Sequence, residues 1–168
     1  MTMKPINIYL IIAIVLAGCN QKQKKENFQY ERVQENSSEV IQNTDLQNTV
    51  ILNSNDAMLF DKKVIKVSYG ENITLTLNHV GKIGKDFMGH NFVLLKKGVD
   101  VDAFAQRAIL ARDNEYIPEG DEIIVTTKML GGGESDTIVF DAPEPGKYIF
   151  ICTFPGHYQL MRGEFIVI

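Results

Sequence analysis

The chain has 168 residues, room for one domain and an extra segment. Hydrophobic residues make up 45% and charged residues 23%, an ordinary globular balance. The formal charge of −4, with no stripe of basic and aromatic side chains, argues against a nucleic-acid partner.

The first segment in chain order is not part of a fold. Lys4 gives a positive start, and Ile8 to Ala17 is a mostly large, apolar run. It is too short for the ~20 residues a membrane-spanning helix needs, so it reads as a signal peptide. It ends in Leu16-Ala17-Gly18-Cys19, which resembles the lipobox of bacterial lipoprotein signals, where the cysteine is acylated after cleavage. Residues 1–18 are therefore expected to be removed, and Cys19 to carry lipid. This implies a membrane-anchored lipoprotein on the periplasmic or cell-surface side. Cysteine counting follows: of two cysteines, Cys152 is left as the only thiol of the mature chain, and no internal disulfide can form. Residues 19–48 hold the lipidated cysteine and a stretch rich in Gln, Asn, Glu and Lys, the composition of a solvated tether. Lys22, Lys24 and Lys25 read as part of that tether rather than as a patch for anionic lipid.

Residues 49–168 carry the folded domain. Ile73, Leu75, Leu77 and His79 alternate with Asn72, Thr74, Thr76 and Asn78, a period of two with one apolar face. Similar short runs fall at 64–69, 91–96, 122–128, 136–141, 147–153 and 163–168, with turn residues such as Gly131-Gly132-Gly133 and Pro143-Glu144-Pro145-Gly146 between several of them. Many short strands predict an all-β sandwich or barrel. Val101, Phe104, Ala105, Ala108 and Ile109 instead follow a helical stripe, with Asp100 a suitable N-cap, so one helix is expected between strands.

The chemistry lies between the last two strand patterns. Cys152-Thr153-Phe154-Pro155-Gly156-His157-Tyr158-Gln159-Leu160-Met161 presents a thiol, an imidazole and a thioether from one connection. His90, in Met88-Gly89-His90-Asn91, is a further candidate at the start of another strand. Cysteine with two histidines and a distant methionine suits copper, because soft sulfur donors with imidazole satisfy both its oxidation states. Zinc accepts Cys and His but takes a thioether poorly, and no Cys-x-x-Cys pair is present. Taken singly, Cys152 could be a buried small hydrophobe, His90 a hydrogen-bonded strand residue and Met161 a core residue. The spacing of Cys152, His157 and Met161 reverses this for the loop. His79 shares the inward face of its strand and reads as a structural histidine.

From Asn55 to Ile168 the chain resembles the azurins, a branch of the cupredoxins. The likeness rests on Asn55-Asp56-Ala57-Met58, Leu77-Asn78-His79-Val80-Gly81, Met88-Gly89-His90-Asn91-Phe92 and the Cys152–Met161 loop. It implies a Greek-key β-sandwich of about eight strands with one inserted helix. It implies one type 1 copper, with His90, Cys152 and His157 as the strong ligands, Met161 an axial donor and the Gly89 carbonyl a more distant one. Asn91 would tie the two ligand loops together, and the Phe154 N–H would donate to the Cys152 sulfur. The implied activity is one-electron transfer without catalysis. The implied partners are redox proteins such as c-type cytochromes or terminal reductases and oxidases, docking at an apolar patch of Met58, Met88, Phe154 and Pro155 around His157. The chain departs from the family in having no cysteine pair for a disulfide, no Trp and Phe92 after Asn91, and in the lipid anchor expected at Cys19. A multicopper enzyme is disfavoured, because the chain has three histidines. A copper carrier or sensor remains the alternative.

Overall fold

The structure, a computed structural model, describes residues 47–168. The signal segment, Cys19 and the lysine run lie outside the described residues. Among the described residues nine strands form two sheets, one more strand than expected. They are β1 (Thr49–Asn55), β2 (Leu59–Phe60), β3 (Val64–Val67), β4 (Asn72–His79), β5 (Val93–Leu95), β6 (Ile123–Thr126), β7 (Ser135–Asp141), β8 (Gly146–Ile151) and β9 (Arg162–Val167). One sheet has the order β2-β1-β4-β7 and the other β3-β9-β8-β5-β6. β1 runs parallel to β4 and β3 parallel to β9, and the remaining pairs are antiparallel.

The period of two in β4 does what the sequence implies. Ile73, Leu75, Leu77 and His79 are buried, and the intervening residues face outward. The three aliphatic chains pack with Val50 and Leu52 of β1 and with Phe150, Phe165 and Val167 of the facing sheet. Burial of each such side chain contributes roughly 1.5–3 kcal/mol. Cys152 and Met161 belong to this same cluster, so the proposed metal loop is rooted in the core.

β5 is buried on both faces. Leu94 points between the sheets, and Val93 and Leu95 point outward into a second cluster with Ile151. That outer face is covered by α2 (Val101–Leu110), which buries Phe104, Ala105 and Ala108. The Asp100 side chain accepts hydrogen bonds from the Asp102 and Ala103 N–H groups, both at 3.1 Å, and so caps the helix as expected. Ile109 is a correction: the stripe placed it inward, yet it is 44% exposed, because it lies at the rim of the helical arc that Phe104, Ala105 and Ala108 define. Two further pieces were not anticipated, α1 (Lys85–Met88) and a 3-10 turn at Arg112–Asn114.

Candidate metal centre

Two connections at one end of the sandwich supply the donors. The first joins β8 to β9. Cys152 follows the last residue of β8, and its N–H donates to the Met161 carbonyl at 2.9 Å, which closes the loop at its base. Within the loop the His157 N–H bonds the Phe154 carbonyl at 3.0 Å, and the Met161 N–H bonds the His157 carbonyl at 2.8 Å. Gly156, at φ 82°, supplies the left-handed turn that Pro155-Gly156 signalled. The result turns Cys152, His157 and Met161 inward, all buried.

The second connection runs from β4 through α1 to β5. His90 lies before β5, in an isolated bridge whose N–H and C=O both pair with Leu130, at 2.9 and 2.8 Å. Its Nε2 lies 2.9 Å from the Asn55 carbonyl. A proton there donates to Asn55 and leaves the Nδ1 lone pair free for a metal. Gly89 is required by close approach. A Cβ there would meet Phe154 Cδ2 and the Lys85 carbonyl oxygen at 2.8 Å and Met129 Sδ at 2.9 Å.

Among the described residues, His90, Cys152 and His157 form one metal-capable group, with donor atoms within 4.8 Å of one another. Cys152 Sγ lies 3.9 Å from His90 Nδ1, 3.7 Å from His157 Nδ1 and 3.7 Å from the Gly89 carbonyl oxygen. Metal bonds of about 2.3 Å to sulfur and 2.0 Å to nitrogen put these donors about 3.7 Å apart in a trigonal plane, against about 3.5 Å in a tetrahedron. The observed sulfur–nitrogen spacings are wide enough for both imidazoles and the sulfur to bond one metal ion. Met161 is fully buried in the cluster that contains Cys152.

Burial sets the charge state of the donors. Burial pushes the Cys152 thiol up to about 12, partly offset by the Asn91 and Phe154 N–H groups that point at the sulfur. Desolvation holds His90 and His157 down at about 4. Without a metal the three groups are neutral at pH 7, and a bound cation reverses the preference of the thiol. His79 is placed differently. Its ring stacks on His90 at 4.3 Å, its Nδ1 accepts from the Gly81 N–H at 3.1 Å and its Nε2 faces the Met88 carbonyl at 2.9 Å. Both nitrogens are engaged, as a structural histidine requires.

Asn91 joins the two connections. Its Nδ2 donates to Thr153 Oγ1 and its Oδ1 accepts from the Thr153 N–H, both at 2.8 Å. The Phe154 N–H lies at the sulfur as expected, whereas the matching Asn91 N–H, the Asn55 carbonyl and Thr153 were missed. None of these has a sequence signal, because each acts through backbone geometry or across a long separation. Met58, Met88, Phe154 and Pro155 are half-buried, and His157 itself is only 3% exposed.

A two-sheet sandwich with a buried Cys-His-His cluster at one end defines a cupredoxin with a mononuclear copper centre. The family model described as copper binding proteins, plastocyanin/azurin family, matches residues 46–168. The chain is 45% identical to azurin of Bordetella pertussis over 64% of its own length and 75% of that protein's. It is 40% identical to outer membrane protein H.8 of Neisseria gonorrhoeae, over 66% of its length and 62% of the relative's. Among solved structures, dithionite-reduced auracyanin of Roseiflexus castenholzii superposes with a TM-score of 0.67 at 38% identity, covering 73% of this chain and 98% of that one. The chain belongs to the plastocyanin/azurin family and is an azurin-like cupredoxin. It is a one-electron carrier with one blue copper per chain.

Proposed function

We propose that His90 Nδ1, His157 Nδ1 and the Cys152 thiolate would hold the copper, with Met161 a weaker donor and the Gly89 carbonyl a more distant one. The observation that carries this reading is the 3.7–3.9 Å spacing of both imidazole nitrogens from one buried sulfur. The copper supplies a reversible one-electron couple between Cu(I) and Cu(II). The chain's own residues keep its surroundings nearly constant. Asn55 fixes the His90 tautomer, Asn91 ties one loop to the other, and two N–H groups withdraw charge from the sulfur. A site held this way reorganises little when one electron is gained or lost, and it makes no bond in a substrate.

The signal segment and Cys19 support a lipid-anchored chain outside the cytoplasm, exchanging electrons with membrane-associated redox proteins. The name of the gonococcal relative supports an outer-membrane setting. Phe154 and the half-buried methionines Met58 and Met88 support docking at the loop end of the sandwich. The test is spectroscopic. Copper-loaded, oxidised protein shows an intense visible band from Cys152-to-copper charge transfer. Cys152→Ser abolishes the band, and Met161→Gln keeps copper with a lower potential. A colourless copper complex of the unmodified chain overturns the assignment.

A further inference from the structure

The segment that follows α2 breaks a rule of local structure. Glu115 has φ 51° and Tyr116 φ 62°, so two consecutive non-glycine residues sit in the left-handed region. The Tyr116 N–H donates to the Ala111 carbonyl at 2.9 Å, closing the 3-10 turn in a six-to-one bond. Glycine is the usual residue at such a helix end, because it adopts this backbone without strain. Glycine has no side chain, however, and here both side chains have partners.

Glu115 reaches the His90 side of the centre. Its Oε2 accepts from the Met129 N–H at 3.1 Å, and its Oε1 meets Lys85 Nζ at 3.2 Å. Met129 precedes Leu130, which forms the two-bond bridge with His90. Lys85 opens α1, which leads directly into Gly89 and His90. Tyr116 reaches the other side. Its ring meets Phe154 edge-on, with centroids 5.3 Å apart at 67°. Phe154 in turn lies against the His157 ring at 4.7 Å.

We propose that Glu115 and Tyr116 are a paired brace, positioning residues that hold the two copper-bearing loops in register, Glu115 through Lys85 and Met129, and Tyr116 through Phe154. Their hydrogen bonds and ring contact go to Lys85, Met129 and Phe154 rather than to the copper donors themselves. The inference rests on the ligand assignment above, and it gives the two side chains of a strained turn a role that glycine could not fill. Removal of the Tyr116 ring frees Phe154, and with it the tilt of the His157 imidazole. Removal of the Glu115 carboxylate leaves the Met129 N–H without its partner next to the His90 bridge.

The test uses the full chain with Tyr116→Ala, Tyr116→Phe, Tyr116→Leu and Glu115→Ala. The metal-free protein is followed by amide hydrogen exchange. Tyr116→Ala speeds exchange at His157, Leu160 and Met161 about tenfold relative to the unmodified chain, and Glu115→Ala does the same at His90 and Leu130. In the copper-loaded protein both variants shift the visible band and release copper to a chelator about tenfold faster. Tyr116→Phe keeps the ring and behaves as the unmodified chain. Tyr116→Leu keeps bulk without an aromatic edge and behaves as Tyr116→Ala; it substitutes for that variant if the smaller side chain prevents folding. A lower melting temperature with loop exchange, band and release rate all unchanged overturns the brace and leaves a merely structural turn. If the unmodified chain gives no band with copper, the ligand assignment fails, and the exchange experiment on metal-free protein still decides the brace.

Discussion

A thiol and two imidazoles gathered in the core are costly places for charge, and their titration follows from that cost. His90 and His157 stay neutral down to about pH 4, well below the ordinary imidazole value near 6.5. Cys152 keeps its proton up to about pH 12. Copper binding requires a thiolate and two neutral imidazoles, so at pH 5.5 the only proton to be displaced is that of Cys152. Calorimetry in buffers of different ionisation enthalpy is expected to count about one proton released per copper at that pH. Imidazoles with ordinary values would release nearly three in all. Linkage gives a second expectation for the metal-free protein. Its two histidines are depressed in the folded state, so between about pH 6.5 and about pH 4 the unfolded chain binds more protons than the folded one. Their full contribution to stability is present above about pH 6.5 and is lost as pH falls toward about 4. Urea midpoints of the metal-free protein should fall across that window, and a flat profile contradicts the burial argument. The copper-loaded protein should resist the same fall, since bound metal competes with the protons.

At the scale of elements, the centre depends on a tie between two connections that are far apart in sequence. Thr153 and Asn91 exchange two bonds across 62 positions, both buried. Asn91→Ala leaves the Thr153 N–H without a partner in the core, and a loss of about 2–3 kcal/mol in urea unfolding is expected. A loss below about 0.5 kcal/mol would show that the loops hold their places without the tie. This dependence also explains what the sequence revealed. β4 and α2 were legible because their patterns are local: alternation in one, a capped stripe in the other. β1 was not singled out as a strand, because Ser54 takes an inward position and hides the alternation; its hydroxyl is satisfied by the Asn78 carbonyl at 3.1 Å. α1 has four residues, too few for any period. Cys152, His157 and Met161 were legible from one short loop, whereas His90 needed the family likeness. The Glu115 contacts span 14 and 30 positions and leave no pattern to read.

For the whole molecule, chemistry and location separate along the chain. All the proposed donors lie between Gly89 and Met161, at one end of the sandwich, and the contacts described above that orient them come from residues 55–161. The proposed attachment lies at Cys19, ahead of the family match that begins at residue 46. Among the described residues no helix is long and apolar enough to cross a membrane. Lipid burial contributes about 0.8 kcal/mol per methylene, so acyl chains on Cys19 can supply an attachment. Cys19→Ser is therefore expected to move the full chain from the membrane to the soluble fraction and to stop its labelling by a fatty acid. The visible band, the potential and the rate of reduction by a small soluble donor should stay as they are, because no copper contact has been touched. Electron exchange with membrane-associated partners should slow, because the carrier is no longer concentrated in their plane and must meet them by diffusion from solution. A Cys19→Ser chain that remains with the membrane refutes the anchor, and one that loses its colour refutes the separation of anchor from centre.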